Sequence, residues 1–243
     1  MRAPVIITGG SSGIGQAIAN RLRSAGHIVL NLDILPSLSH PHEHVSCDLN
    51  DPDLIAAAID QIPKKIKGLI CVAGVGELAE TPEKVVRINF LGTRYLTESI
   101  MQNIQPGGAI TLVASSAGRD WINNRQMVEN LLKTNDFSTG NDWLEKNKDA
   151  WQEDAYKFSK QCLAAYTYHA AGQAKNLNLR VNCINPGITE TRLSGNFRDL
   201  IGHENYDRIT RLMGRAGEPE DVAGLAEFLT VGDAAWINGV EIT

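Results

Sequence analysis

Val5-Ile6-Ile7-Thr8-Gly9-Gly10-Ser11-Ser12-Gly13-Ile14-Gly15 is the stretch whose reading decides the fold. Its first four residues form a continuous run of the kind shown by a strand covered on both faces. The pattern Gly-x-x-x-Gly-x-Gly follows directly, at Gly9, Gly13 and Gly15. A helix pattern, Ile14–Ser24, opens on its last glycines. Glycine tightens such a turn and lets the backbone approach a pyrophosphate. The helix N-terminus adds free N–H groups and the positive end of its dipole. A glycine-rich turn alone says little, because tight turns need glycine anyway. Strand before and helix after make this one a dinucleotide turn, with Gly9, Ser11, Ser12, Gly13, Ile14 and Gly15 as candidate contacts. No Lys-Ser/Thr pair follows, which argues against a P-loop hydrolase.

Working outward, short apolar runs alternate with longer amphipathic stretches. Val5–Thr8, His27–Leu32, His44–Cys47, Gly68–Val72, Ala109–Ala114, Leu179–Ile184 and Trp236–Ile242 are expected strands. Ile14–Ser24, Pro52–Ile62, Glu83–Asn103, Ala155–Lys175 and Glu218–Leu229 are expected helices. Strand–helix repetition of this kind predicts an α/β, doubly wound parallel sheet. No composition break divides the chain, so one domain over residues 1–243 is expected. Residues 119–154 break the pattern: they are polar and charged and hold three of the four tryptophans, Trp121, Trp143 and Trp151. Met127, Val128, Leu131 and Leu132 are spaced like one helix face. Trp143, Asn147 and Trp151 are spaced like another, behind a possible cap at Asp142. The segment is expected to be a helical insertion off the sheet.

Bulk properties limit the function classes. The 243 residues carry 43% hydrophobic and 21% charged side chains, ordinary globular values. A net charge of −5 and a few short basic clusters, such as Lys64, Lys65 and Lys67, argue against a nucleic-acid partner. No apolar run is long enough to span a bilayer, and the first residues already form a strand rather than a signal peptide. A cytoplasmic protein with no membrane partner is the expectation. The four cysteines, Cys47, Cys71, Cys162 and Cys183, stand far apart, as suits reduced thiols. His40, His42 and His44 alternate in a Pro/Ser-rich stretch, but no metal-ligand spacing accompanies them, and no metal is expected.

Asp33 ends the second strand, and it lies 20 residues beyond Gly13 (33 − 13). A carboxylate there can accept hydrogen bonds from both ribose hydroxyls of NAD and repel a 2′-phosphate. Residues 34–45 contain no Lys or Arg to receive that phosphate. The expected cofactor is therefore NAD rather than NADP. Asp48, with Leu49 beside it, could touch the adenine; a loop-starting Asp is the equal alternative.

Tyr156 and Lys160 stand four apart on one helix face. A phenol titrates near pH 10 and is a poor base at neutrality, but a fixed ammonium beside it stabilises the phenolate. Ser115-Ser116 follows a strand at the carboxyl edge, where open sheets bind ligands. Asn89 lies inside a helix pattern, where asparagine is an indifferent former, so a buried polar task or a local bond explains it.

Together Gly9-x-x-x-Gly13-x-Gly15, Ala73-Gly74, Asn89, Ser116, Tyr156-x-x-x-Lys160 and Pro186-Gly187 resemble the short-chain dehydrogenase/reductase family, over essentially the whole chain. The resemblance implies a Rossmann fold with a seven-stranded parallel sheet. It implies Tyr156 as proton donor or acceptor, Ser116 on the substrate oxygen, and Lys160 on the nicotinamide ribose and on the Tyr156 pKa. Asn89 would hold a relay water. Pro186, Gly187, Ile188 and Thr189 would bind the carboxamide, with help from Thr191, and Ala73 and Gly74 would join the cofactor site. Ala73–Gly76, Pro186–Thr191, Met213–Pro219 and the insertion resemble the branch containing bacterial 3α-hydroxysteroid dehydrogenase/carbonyl reductase, which also contains coniferyl-alcohol dehydrogenases. Cys71-Val72 departs from the family's usual Asn-Asn, and the family usually runs on past the position of Thr243. The resemblance also implies a substrate lid over about residues 189–213, a small alcohol or ketone as partner, and a homo-oligomer (dimer or tetramer). Interconversion of a secondary or aryl/allylic alcohol with its carbonyl compound is the expected reaction. The alternatives are a coniferyl-alcohol-type dehydrogenase and a catalytically silent dinucleotide-binding regulator.

Overall fold

A computed structural model of the chain describes residues 2–40, 43–76, 80–191, 198 and 202–243. Seven strands form one parallel sheet: β1 (Val5–Thr8), β2 (Val29–Asp33), β3 (His44–Ser46), β4 (Ile66–Cys71), β5 (Ile104–Val113), β6 (Arg180–Ile184) and β7 (Glu241–Ile242). Their order is β3-β2-β1-β4-β5-β6-β7, so the chain reverses direction of travel between β1 and β4. A crevice opens at the carboxyl ends of strands at such a switch point. Register is simple: Val5 pairs with Val29 on one side and with Gly68 on the other.

Alternation along β1 feeds two cores. Val5 and Ile7 face α1 (Gly13–Ser24) and a late helix, Pro219–Val231, through Ile18, Leu22, Ala226 and Leu229. Ile6 faces the opposite layer, which holds α2 (Pro52–Ile59), α3 (Pro82–Val86), α4 (Thr93–Ile100) and the long helix Ala155–Ala174. The caps follow the sequence chemistry. Asp51 accepts from the N–H groups of Asp53 and Leu54 with Pro52 at the first helical position. Pro219 plays the same part behind Glu218.

Residues 119–154 form the expected helical excursion, with two corrections inside it. It contains α5 (Arg125–Leu132) and α6 (Phe137–Lys146), then short 3₁₀ turns leading into α7 (Ala155–Ala174). Val128, Leu131 and Leu132 are buried as expected. The cap of α6 is Asp136, not Asp142, because Asp136 and Thr139 complete a reciprocal capping box and leave Asp142 inside the helix. Trp143, Asn147 and Trp151 do not share a helix. Asn147 ends α6 by donating from its side chain to the Trp143 carbonyl, and Trp151 is buried from the following turns. Trp143 and Trp151 both stack on Phe158 of α7, at 6.2 and 6.1 Å. The insertion thus seals α7, whose sides are apolar nearly all round, within the same chain.

Two other expectations need correction. The helix expected over Glu83–Asn103 is α3 and α4 separated by a π turn, Arg87–Gly92. A Cβ on Gly92 would lie 2.0 Å from the Leu49 carbonyl oxygen, so only glycine allows this approach. The strand expected over Trp236–Ile242 is only Glu241–Ile242. Gly239 has a φ of +71°, and Asn238 accepts from the Val181 N–H, so the chain turns there before pairing. Trp236 is left fully exposed, at 100%. Among the described residues the later helices are α8 (His203–Met213) and α9 (Pro219–Val231).

Candidate active site

The glycine turn is built by close approaches that a side chain would forbid. Gly9 and Gly13 have φ of +72° and +50°, and a Cβ on Gly15 would stand 2.1 Å from the Gly9 carbonyl oxygen. A Cβ on Gly9 would stand 2.8 Å from the Ala73 Cα, so the turn lies against the end of β4. Two polar residues that sequence reasoning missed hold it. Thr8 accepts from the Val72 and Ala73 N–H groups, both at 3.1 Å. Asn31, fully buried in β2, accepts from the Gly10 N–H at 2.8 Å and donates to the Ser11 hydroxyl at 2.9 Å. A polar residue in the middle of the run Val29-Leu30-Asn31-Leu32 was the available signal.

The residues present fit a dinucleotide. Ser12, in the cap position of α1, makes no side-chain bond to the first turn, which leaves those N–H groups for an outside acceptor. Asp33 stands at the end of β2 and accepts from the Ser11 and Leu35 N–H groups at 3.1 and 3.3 Å. A carboxylate has about four acceptor sites, so capacity remains for hydroxyls. Asp48 accepts from the Asn50 N–H at 2.8 Å, as a loop-starting Asp does, and the Leu49 side chain is buried in the core.

Beyond the glycine turn, β5 and the long helix α7 carry the expected reacting residues. β5 delivers Ser115 and Ser116, and the structure separates their tasks. Ser115 is buried and accepts from the Ala117 N–H at 3.2 Å. Ser116 is half-buried, donates its N–H to the Pro186 carbonyl at 2.9 Å, and lines a cleft of about 780 Å³ with Pro186, Gly187, Ile188 and Thr189. Tyr156 is in the first turn of α7, and Lys160 lies one turn on with its Nζ 5.6 Å from the Tyr156 ring centroid. That Nζ also donates to the Val113 carbonyl at 3.5 Å. Burial pushes the Lys160 ammonium down from 10.5 to about 8, which still leaves it charged at neutrality.

Asn89 lies in the π turn and is fully buried. Its Oδ1 accepts from the Val75 N–H at 2.8 Å, and its Nδ2 donates to the Val75 carbonyl and the Ser159 hydroxyl at 3.0 and 3.1 Å. π turns inside helices concentrate at functional sites. Gly74 explains itself beside it: a Cβ there would meet Asn89 Oδ1 at 3.0 Å and Lys160 Nζ at 3.3 Å.

Three further positioning contacts were not legible in the sequence. A Cβ on Gly118 would lie 2.5 Å from the Lys160 carbonyl oxygen, so that glycine seats the Ser116 turn on α7. Asp120 pairs with Lys157 at 3.0 Å and accepts from Gln161 at 2.8 Å, gripping α7 on either side of Lys160. Burial opposes the Asp120 charge, but Gln161 and Lys157 outweigh it and hold the carboxyl below its usual value. Glu241 accepts from the Trp121 indole and the Asn185 amide, both at 2.9 Å, and so ties the insertion to the residue before Pro186.

The Pro186–Thr191 segment returns toward the glycine turn. Thr189 bridges Gly217, with Gly217 N–H to the Ile188 carbonyl at 2.8 Å and Glu190 N–H to the Gly217 carbonyl at 2.8 Å. The Thr191 methyl lies 3.6 Å from where a Gly13 Cβ would be. Of the expected lid residues, Leu193, Phe197, Leu200 and Ile201 lie outside the described residues, and Tyr206 is buried on α8. All four cysteines are free and buried, and burial pushes the Cys47, Cys71 and Cys183 thiols up to about 12. Among the described residues no three His, Cys, Asp or Glu side chains cluster as metal ligands; His42 lies outside them. Nor, among those residues, is any helix long and apolar enough to cross a membrane.

Comparison with known proteins decides the family. Residues 3–127 match the family model described as short chain dehydrogenase, and residues 144–243 match one described as enoyl-(acyl carrier protein) reductase. The chain is 36% identical to a coniferyl-alcohol dehydrogenase from a Pseudomonas strain, over 98% of this chain and 93% of that protein. It belongs to the short-chain dehydrogenase/reductase family. This short-chain dehydrogenase is also 25% identical to the 3-alpha-hydroxysteroid dehydrogenase/carbonyl reductase of Comamonas testosteroni, over 98% of its length and 93% of the relative's. Among solved structures, the 3-alpha-hydroxysteroid dehydrogenase from Pseudomonas sp. B-0831 complexed with NADH superimposes with a TM-score of 0.82 at 27% identity, covering 99% and 94% of the two chains. The short-chain dehydrogenase is accordingly a dinucleotide-dependent oxidoreductase acting on CH–OH groups of a small molecule, and its seven-stranded sheet is the one the motifs led us to expect.

Proposed function

We propose that the chain is an NAD-dependent dehydrogenase that interconverts a secondary or aryl/allylic alcohol and its carbonyl compound, with Tyr156 as the acid/base. The observation that carries this reading is Lys160 Nζ 5.6 Å from the Tyr156 ring on α7, with Gly118 of the Ser116 turn seated on the Lys160 backbone and Gly74 beside Lys160 Nζ. NAD bound across that edge would supply or accept the hydride; Gly9, Ser11, Ser12, Gly13, Ile14 and Gly15 would hold its pyrophosphate, Asp33 its ribose, and Ala73, Gly74, Lys160 and Pro186–Thr191 its nicotinamide half. Tyr156 moves a proton to or from the substrate oxygen, Ser116 orients that oxygen, and the Lys160 ammonium stabilises the phenolate. Asn89 fixes the backbone after Gly74, and the relay water implied by the family resemblance belongs to the same proposal. A silent regulator would have no need of a buried lysine held beside a tyrosine at this edge.

A coniferyl-alcohol-type activity is the second reading, favoured by the 36% relative. Residues 189–213 act as the substrate lid, and the cofactor preference for NAD rests on Asp33. The protein works in the cytoplasm as a dimer or tetramer. Because the insertion packs Trp143 and Trp151 onto α7, the subunits meet on another face, and exposed Trp236 beside β7 marks it. A panel of steroid, aryl and small aliphatic alcohols, followed by NADH absorbance, tests the reading. Turnover of none of them, with NAD bound, would refute it.

A further inference from the structure

The cleft bounded by Ser116 is lined on most sides by apolar groups, among them Ile188, Ile209, Leu212 and Met213. Its charges are unevenly spent. Arg215 makes a double contact with Asp221, at 2.6 and 2.8 Å, and Glu218 is occupied as the cap of α9. Two cations remain. Arg119, three residues beyond Ser116, has no hydrogen bond or ion pair among the described residues, and Arg208 of α8 meets only the neutral Asn205 amide oxygen, at 2.8 Å. Both line the same cleft, one from the sheet edge and one from the lid helix. Glu218 keeps its charge while capping α9, so the three lining arginines exceed the two lining carboxylates by one, and Arg119 and Arg208 are the guanidinium groups without a carboxylate in contact. Arginine's planar fork is suited to a carboxylate.

We infer that the substrate is an apolar alcohol or carbonyl compound bearing a carboxylate remote from the reacting carbon, and that Arg119 and Arg208 recognise that carboxylate. The inference rests on the oxidoreductase reading above for the position of the reacting carbon at Ser116. The apolar walls take the body of such a molecule, Ser116 and Tyr156 its oxygen, and the arginines its acid. The reaction itself is unchanged.

The test is binding, so that it stands apart from turnover. 4-Formylcinnamate and its methyl ester, and 4-formylbenzoate and its methyl ester, are titrated by calorimetry into the protein saturated with NAD. The longer or the shorter acid should bind about five- to tenfold more tightly than its ester at low salt, with the margin shrinking as salt is added. Arg119→Gln and Arg208→Gln, both exposed positions, should each reduce that margin while leaving ester and NAD affinities unchanged. Acid and ester binding alike, no binding of either acid, or a margin unaffected by both substitutions would overturn the inference. So would an equal loss of NAD affinity in the variants, which would place the arginines on the cofactor. Binding without turnover would count against the oxidoreductase reading and leave this inference standing.

Discussion

Replacing Lys160 with methionine should stabilise the fold while destroying turnover. The side chain is 95% hidden, and burial lowers its pKa from 10.5 to about 8. The unfolded chain therefore binds more protons than the folded one between about pH 8 and 10.5, and stability rises with pH across that window. Below it the full cost applies: the gap between 10.5 and about 8 is worth about 3 kcal/mol. Methionine has a similar length and no charge. It forfeits the 3.5 Å bond to Val113 and the contact with the Tyr156 ring, together about 1–2 kcal/mol. The variant should gain about 1–2 kcal/mol near neutrality, or about 2–8 °C in Tm for a chain of this size. Urea unfolding of cofactor-free protein measures it, and the difference between wild type and variant cancels the other titrating groups. The gain should fade toward about pH 10 as the wild-type lysine neutralises. A variant less stable at neutrality, or a difference independent of pH, would refute the reasoning.

Other consequences are as specific. Wild-type kcat/KM should favour NAD over NADP, because a 2′-phosphate would face Asp33 with no basic residue in 34–45; equal values in a paired assay would remove Asp33 from the role. Gly118→Ala should lower kcat well before it unfolds the protein, since its Cβ would push the Ser116 turn off the Lys160 backbone; unchanged kcat would show that the turn gives way freely. Leu131→Ala should cost about 2–5 kcal/mol in denaturant unfolding, because this insertion residue is fully buried against the core; a cost under about 1 kcal/mol would mean that the insertion packs only loosely.

Much of this molecule was legible because its signals are local. Strand, glycine turn and helix stand next to one another in residues 5–24, and Tyr156 and Lys160 share one helix face, so short-range pattern placed them on their elements and the family resemblance supplied their roles. What stayed hidden depends on contacts distant in sequence. Asn31 holds Gly10 from 21 residues away, and Glu241 reaches Trp121 from 120. The π turn at Asn89 arises where Gly92 meets the Leu49 carbonyl, an encounter that no helix propensity encodes. Inside the insertion, Asp142 read as the cap and Asp136 was passed over. Thr139 decided for Asp136 by closing the capping box.

The most direct test of the central claim is the turnover of Tyr156→Phe. The ring still packs at the start of α7 and the glycine turn is untouched, so NAD binding should persist while kcat falls about a hundred- to ten-thousand-fold. Retention of more than about a tenth of wild-type kcat, with NAD bound, would mean that Tyr156 is not the acid/base.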